Sequence, residues 1–243
     1  MRRLLVGGLL IGCGPADAPD RANPCAGGDA LAACSKPTMS ADYYAEQSSA
    51  YFDTMDTSVE LEGWPPYSPQ VVRWEWGPWL KLTAFGKEDI EASDTLLTLY
   101  PSVVLERDCR GFDTQPFGRC TVTFYYDAHD GRGCPIYEEF TFNDSGEITW
   151  IEAWSDQPGL LPGAVDDRWA EGEGVNRLSA RIPGLGSAAG AIDLNGEAMR
   201  AAAEADVDVA DFVWRAEDWT AAWLEELAAS DGDRMWEVGC GWE

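Results

Sequence analysis

The stretch that decides the fold is IYEEFTFNDSGEITWIEAWSD, residues 136–156. Two runs of aromatic and aliphatic residues flank the turn sequence Asn-Asp-Ser-Gly, which predicts a β-hairpin. Each strand carries a glutamate among apolar residues. Counting outward from the turn pairs Phe140 with Trp150 and Glu138 with Glu152 on the more apolar face. The hairpin therefore predicts two carboxyl groups that point toward the protein core.

Two segments upstream extend this hairpin into an antiparallel meander. The runs SVVLERDC (102–109) and RCTVTFYYDA (119–128) alternate between apolar and polar residues, and the turn HDGRG leads into the hairpin. Consecutive strands that are joined by short turns run antiparallel. Counting across HDGRG places Val122, Phe124 and Tyr126 beside Phe140, Glu138 and Ile136.

A disulfide across the first two of these strands would set the position of a nearby cation. Pairing Cys109 with Cys120 places Arg107 on the same face as Glu138 and Glu152. Two carboxylates in a poorly hydrated site do not both stay ionised unless a cation neutralises them. Arg107 is the leading candidate for that cation, and Arg73 in the predicted strand VVRWEW is the second.

Helical patterns lie on both sides of the meander. The run SADYYAEQSSAYFDTM begins at Ser40, a good N-cap, and predicts a helix with one buried face. That face carries Tyr44, Tyr51, Phe52 and Met55. A second helix is predicted over FGKEDIEASDTLLTLY, and residues beyond Pro158 lead into a long segment of helical composition. The order predicts an α+β protein with a helical C-terminal extension.

These elements resemble those of a known superfamily. The first helix around YYAEQSSAYF, the FGKEDI start of the second helix and above all FTFNDSGEITWIEAWSD are similar to the nuclear transport factor 2-like superfamily. That superfamily includes SnoaL-like polyketide cyclases and ketosteroid isomerases. The resemblance covers residues 40–157 and implies a cone-like, curved antiparallel sheet wrapped round the N-terminal helices. It also admits a dimer, and the sequence leaves the oligomeric state open.

The resemblance implies a pocket at the wide end of such a cone. The side chains that would line it are Glu138, Glu152, Arg107, Arg73, Tyr126, Trp150, Trp154, Tyr44, Tyr51 and Phe52. No catalytic residue carries over by motif, so the best acid is either Glu138 or Glu152. The single histidine, His129, falls in a predicted hairpin turn, which argues against a Ser-His-Asp or Cys-His set.

Several interpretations of the two acids remain open. A buried ion-pair cluster would fix the strands without chemistry. An apolar pocket with a few polar groups would bind a small molecule. A carboxyl whose pKa is raised toward neutrality would suit a general acid or base. We expect binding of a small apolar molecule or an envelope protein rather than catalysis, and an extension that fills the cone would leave an interaction module instead.

The N-terminus predicts where the protein is located. MRRLLVGGLLIGC, residues 1–13, has a basic start and an apolar run too short to span a bilayer, and LIGC resembles the lipobox of bacterial lipoproteins. The resemblance implies a signal peptide over residues 1–12 and lipidation of Cys13, and Gly14 favours the outer membrane. A tether (13–39), the domain (40–157) and the connection with its helical extension (158–243) follow. We expect a lipid-anchored protein of the bacterial cell envelope.

Cysteine count and charge limit the partners further. Without Cys13, six cysteines remain, and an even number in an exported chain predicts up to three disulfides. Six cysteines allow fifteen pairings; short spacing favours Cys25 with Cys34 and Cys109 with Cys120, which would leave Cys134 with Cys240. The sequence has no Cys-x-x-Cys motif, so we expect neither a metal site nor a cofactor. A net charge of −26 disfavours nucleic acid and anionic lipid headgroups as partners.

Overall fold

A computed structural model describes residues 37–75, 82–158, 197–205 and 233–242, with isolated positions between these ranges. Its elements are α1 (Ala41–Tyr51), a 3₁₀ turn (Phe52–Thr54), β1 (Tyr67–Glu75), β2 (Ala84–Phe85), α2 (Lys87–Leu97), β3 (Ser102–Gly111), β4 (Phe117–Tyr126), a second 3₁₀ turn (Asp127–His129), β5 (Arg132–Phe142), β6 (Ile148–Ser155), α3 (Glu197–Ala205) and α4 (Asp233–Cys240). The predicted α+β class is confirmed.

The described strands form one curved, six-stranded sheet in the order β2-β1-β6-β5-β4-β3. Strands β3 to β6 are the predicted antiparallel meander. Strand β1 joins the meander by pairing parallel to β6, and it pairs antiparallel with β2. The parallel pair brings the β1 side chains next to those of the closing hairpin.

Helix α1 packs directly on one face of this sheet, which we call the inner face. The Ser40 side chain caps α1 by accepting the Tyr43 N–H at 3.2 Å. Tyr51 lies across from Phe140, with ring centroids 5.2 Å apart. Two glycines permit this close approach, since a Cβ at Gly111 would lie 1.8 Å from the Ala41 carbonyl oxygen and one at Gly118 2.3 Å from Ser48 Oγ. The predicted burial of the aromatic face of α1 is confirmed.

The predicted register of the closing hairpin is wrong beyond its first pair. Phe142 does lie opposite Ile148, but a bulge follows, and Trp150 then lies opposite Thr141. The extra residue, Thr149, shifts all later partners of β6 by one, and a shift of one residue exchanges the faces of a strand. Glu152 consequently lies opposite Glu139, while Glu138 lies opposite Ala153.

The other two registers of the meander also differ from prediction. Strand β4 pairs with β5 so that Val122 lies opposite Ile136 and Phe124 opposite Cys134. The register differs because the turn after Tyr126 contains fewer residues than the predicted pairing requires. The predicted inward face of β4 is nevertheless right. A bulge between Leu105 and Asp108 in β3 leaves Arg107 outside the regular pairing.

Two predicted disulfides are confirmed. One joins Cys109 and Cys120 across β3 and β4, and the other joins Cys134 at the start of β5 to Cys240 at the end of α4. The second encloses a loop with a sequence separation of 106. Closing a loop of that length restricts the unfolded chain and stabilises the fold by about 5 kcal/mol. Both bonds are typical of an oxidising compartment outside the cytoplasm.

Several N-terminal predictions fall on residues outside the described ranges. They are the signal peptide, lipidation of Cys13, most of the tether, and the pair formed by Cys25 and Cys34. The part of the C-terminal extension that is described contains α3, which lies within the segment of predicted helical composition, and α4, which lies beyond it. No helix within the described residues is long and apolar enough to cross a membrane.

Candidate functional site

Glu138 lies on the inner face in the middle of the sheet. Ala153 separates it from Glu75, because both glutamates pair with this alanine from opposite sides. In the neighbouring row of the same face, Ile151 separates Phe140 from Arg73. The parallel pairing of β1 with β6 therefore gathers two acids and one base onto the inner face.

The Arg73 guanidinium is hydrogen-bonded to groups other than Glu138. Its guanidinium donates to Asp94 Oδ1 at 2.6 Å, to the Tyr51 hydroxyl at 3.1 Å, to Ser93 Oγ and to the Leu82 carbonyl. Both partners of the ion pair with Asp94 are buried, and Thr54 Oγ1 donates to the other Asp94 oxygen at 2.8 Å. Burial favours neutral Arg73, but its interactions with Tyr51 and Asp94 outweigh burial and raise the pKa of Arg73.

Glu138 keeps an unsatisfied oxygen. Its side chain is 3% exposed, and its Oε2 atom has no hydrogen-bond partner. Burial raises the pKa of Glu138 well above its ordinary value; the charge of Arg73 opposes this shift, while Glu75 and Asp94 add to it. Because burial and neighbouring acids disfavour the charged form, the equilibrium of Glu138 is shifted toward the protonated acid. It is a buried carboxylic acid that can both donate and accept a hydrogen bond.

Two tyrosine hydroxyls lie near Glu138 on the inner face. The Tyr51 hydroxyl accepts a hydrogen bond from Arg73, whereas the Tyr67 hydroxyl is buried without a hydrogen-bond partner. Burial raises the pKa of both hydroxyls well above the ordinary value, so both stay protonated at neutral pH. The site therefore offers two unsatisfied groups, Glu138 and Tyr67, that can each donate to a bound molecule.

The outer face of the sheet holds a second cluster, which is built round an ion pair. Arg119 Nε donates to Glu139 Oε1 at 2.9 Å, and the Tyr137 hydroxyl donates to the same oxygen at 2.7 Å. The Arg119 guanidinium also lies 4.7 Å from the ring centroid of Phe112. All four side chains are buried. This cluster is a structural ion pair supported by a hydroxyl and an aromatic ring.

Three of the residues predicted for the pocket lie on this outer face. The bulge at Thr149 turns Trp150, Glu152 and Trp154 away from α1. Trp150 Nε1 donates to Glu152 Oε2 at 3.2 Å, and Trp154 packs on Tyr137 with ring centroids 5.8 Å apart. The prediction that Glu138 and Glu152 lie opposite each other on the inner face is therefore wrong.

Arg107 does not bridge the hairpin acids as predicted. It forms ion pairs with Asp53 and, at 2.9 Å, with Asp56, at the end of α1. The bulge in β3 rotates Arg107 toward these partners. Of the remaining predicted residues, Arg73, Tyr51, Phe52 and Tyr126 lie on or against the inner face, and Tyr44 packs at its far end against Phe142 at 4.8 Å.

Sequence reasoning missed Glu75, Asp94 and Tyr67. Glu75 had a usable signal, since it shares strand parity with Arg73 in VVRWE. Asp94 and Tyr67 had none, because their positions depend on the parallel pairing of β1 and on how α2 packs. Within the described ranges, no three His, Cys, Asp or Glu side chains group as a metal site.

Comparisons with known proteins find structural neighbours only. Neither a protein-family model nor a curated protein matches the chain. A protein of unknown function with a cystatin-like fold from Methylobium petroleophilum PM1 is 16% identical, with a TM-score of 0.43, over 53% of this chain and 86% of its own.

Two further structural neighbours each match about half of this chain. A putative isomerase of the SnoaL-like family from Agrobacterium tumefaciens C58 is 15% identical, with a TM-score of 0.37, over 48% of this chain and 99% of its own. A putative polyketide cyclase from Pseudomonas putida KT2440 is 14% identical, with a TM-score of 0.38, over 49% of this chain and 92% of its own.

Proposed function

We propose that this protein binds a small, neutral and largely apolar molecule at the inner face, and that Glu138 donates a hydrogen bond to an oxygen of that molecule. The observation that carries the proposal is the unsatisfied Glu138 Oε2 in a buried carboxyl group whose pKa is raised. Buried polar groups in folded proteins are nearly always hydrogen-bonded, so an exception marks a place where a partner belongs. The nearby Tyr67 hydroxyl offers a second donor.

The charges around Glu138 select against an anionic ligand. Glu75 and Asp94 both act on Glu138 with negative charge, while the positive charge of Arg73 is engaged by Asp94. A carboxylate or phosphate placed here would meet these acids in a poorly hydrated site, where repulsion is strong. Aromatic side chains such as Phe140 and Phe124 supply apolar contact instead. A ligand with a carbonyl or hydroxyl oxygen on an apolar frame fits both conditions.

Nile red, a neutral apolar dye with a carbonyl group, tests this proposal. Glu138→Leu removes the donor and is expected to weaken dye binding at least tenfold, the equivalent of about 1.4 kcal/mol. Glu138→Gln keeps a donor and is expected to bind like the wild type. Glu88→Gln on the exposed surface of α2 is the matched control. Wild-type affinity in Glu138→Leu would refute the proposal.

General acid or base catalysis is the second candidate function, because a raised carboxyl pKa suits proton transfer near neutral pH. Deuterium exchange at the carbon next to the carbonyl of a simple cyclic ketone, followed by NMR in D₂O, detects it. Exchange above the buffer rate that disappears in Glu138→Gln would support catalysis. Exchange at the buffer rate would leave binding as the function.

We propose further that Cys13 carries a lipid that holds the chain in the bacterial cell envelope, at the outer membrane. The lipobox-like LIGC and the disulfides of the folded domain support this location. Replacing Cys13 with Ser is expected to move the protein from the membrane fraction to the soluble fraction. Unchanged membrane retention would count against the anchor.

A further inference from the structure

Helix α4 lies across one end of the sheet. Its Cys240 is bonded to Cys134 at the start of β5, and Ser155 Oγ at the end of β6 donates to the Gly239 carbonyl at 2.6 Å. Just beyond α4, Trp242 Nε1 donates to the Gly133 carbonyl at 2.7 Å. The helix is therefore attached to both strands of the closing hairpin at the end opposite its turn.

Aromatic contacts extend this attachment to the other side of the sheet. The Trp236 ring lies 4.8 Å from Tyr126 at the end of β4 and 6.1 Å from Tyr100 just before β3. His129 packs on Trp236 at 4.9 Å and is hydrogen-bonded through Nε2 to the Tyr100 hydroxyl at 2.6 Å. Helix α4 thus contacts residues of β4, β5 and β6, together with Tyr100 just before β3, at one end of the sheet.

The inner face extends along β5 from this end of the sheet to Glu138. Cys134 and Glu138 point to the same face of β5 and are four residues apart, a distance of about 13 Å along a strand. Tyr126 connects the two regions, because it contacts Trp236 and also lies near the acids of the site. Burial raises the pKa of Tyr126, and the charges of Glu75, Tyr100 and Glu138 raise it further.

The other described elements close the inner face more tightly. Helix α1 packs its backbone on Gly111 and Gly118, where even an added Cβ would clash. Helix α2 is held to β1 by the buried ion pair of Asp94 with Arg73. Displacing α1 or α2 would break main-chain contacts or a buried charge pair. Helix α4, by contrast, covers its end of the sheet through a disulfide and half-buried aromatic rings.

We propose that α4 is a disulfide-held lid over the inner-face site, and that a ligand enters and leaves by displacing this helix. The purpose of the lid rests on the proposed function, since a cover matters only if the site binds something. The position and mobility of the lid can be tested without any ligand.

Thiol labelling provides the ligand-free test. Cys240→Ser releases α4 and leaves a thiol at Cys134, which is fully buried beneath it. Cys109→Ser is the matched control, because it leaves Cys120, equally buried on the same face but beside α1 and Glu138. A maleimide, with the modified peptide identified by mass spectrometry, is expected to label Cys134 at least tenfold faster than Cys120. Equal, slow labelling would overturn the lid.

Hydrogen exchange of the unmutated chain decides the question if the serine variant does not fold. A lid opens locally, so the amides of α4 are expected to exchange at least tenfold faster than those of α1 once each is corrected for its intrinsic rate. Protection of α4 equal to that of α1 would contradict a helix that opens on its own.

Dye kinetics then connect the lid to the site. Trp236→Ala and the double variant Cys134→Ser/Cys240→Ser are expected to speed both association and dissociation of Nile red at least tenfold, with little change in Kd. Glu138→Leu is expected to raise Kd without faster association. Unchanged rates in the lid variants would contradict the lid.

Absence of dye binding in every variant, including the wild type, would refute the proposed function. Thiol labelling would still decide whether α4 is a lid.

Discussion

Glu138 and Glu139 are neighbours in the sequence and both are buried, but the protein neutralises them differently. Glu139 on the outer face pairs with Arg119 and accepts the Tyr137 hydroxyl. Glu138 on the inner face keeps an oxygen without a partner, and its pKa is raised, first by burial and then by nearby acids. A buried carboxyl group must meet a cation or hold a proton. Glu139 meets the cation Arg119, whereas the surroundings of Glu138 favour its protonated form.

This difference separates a structural role from a functional one. The hydrogen bonds and charge of Glu139 are used to hold β4 and β5 together. Glu138 contributes no such bond through Oε2, so its burial is unfavourable to the fold unless something else binds there. Of these two acids, Glu138 is therefore the one that keeps an oxygen for a bound molecule.

The largest expected effect comes from breaking the outer cluster. Arg119→Met leaves Glu139 buried without its cation and is expected to destabilise the fold by about 3–5 kcal/mol in urea unfolding. Lys87→Met, which removes an exposed ion pair with Glu91, is the control and is expected to lose less than about 1 kcal/mol. A small loss for Arg119→Met would remove the contrast between the faces.

A pH-dependent effect distinguishes the inner glutamate. Between the ordinary carboxyl pKa and the raised pKa of Glu138, the folded chain holds a proton that the unfolded chain has lost. The free energy of unfolding therefore falls as the pH rises through this window, by at most about 1.4 kcal/mol per pH unit. Glu138→Gln is expected to lose this slope and gain stability relative to the wild type as the pH rises.

The exposed variant Glu88→Gln is the control for this slope and is expected to keep the wild-type pH dependence. If Glu138→Gln also keeps the wild-type slope, Glu138 does not carry the proton. Chemical denaturation at a series of pH values measures all three proteins under the same conditions.

A smaller effect is expected at acidic pH from Asp56, which anchors the end of α1 to β3. Burial raises its pKa, but hydrogen bonds from Ser58 and Val104 and the charge of Arg107 outweigh burial and lower it overall. Its contribution is present above the ordinary carboxyl pKa and is lost as the pH falls through the lowered value. Asp56→Asn is expected to cost about 1 kcal/mol at neutral pH and less in acid.

Asp144→Asn, in the exposed hairpin turn, is the comparison for Asp56→Asn and is expected to change unfolding little at either pH. If the loss of unfolding free energy caused by Asp56→Asn grows as the pH falls, the assigned direction of the Asp56 pKa shift is wrong.

Much of the fold could be predicted from local patterns. Alternating residues and Gly-containing turns identify β3 to β6, and Ser40 with the tyrosines of the first helix identifies α1. Short cysteine spacing predicts the disulfide between Cys109 and Cys120, and the disulfide between Cys134 and Cys240 follows as the remaining pair. These features depend on residues close in sequence or on parity along a strand, which the sequence displays directly.

The site could be predicted only in part, because register depends on bulges. One extra residue at Thr149 moves Glu152 to the outer face, and another near Arg107 redirects that side chain to Asp56. Bulges are set by packing and strand twist rather than by a short motif. The parallel pairing of β1 with β6, which brings Arg73 and Glu75 to the inner face, joins segments far apart in the chain.

Infrared spectroscopy tests the central claim most directly, because a protonated carboxylic acid has a carbonyl stretching band that a carboxylate lacks. The difference spectrum between the wild type and Glu138→Gln at neutral pH is expected to show the loss of one such band. Glu139→Gln, recorded under the same conditions, is expected to leave the band in place. A difference spectrum for Glu138→Gln that shows the loss of a carboxylate band instead would contradict a protonated Glu138 and the binding role built on it.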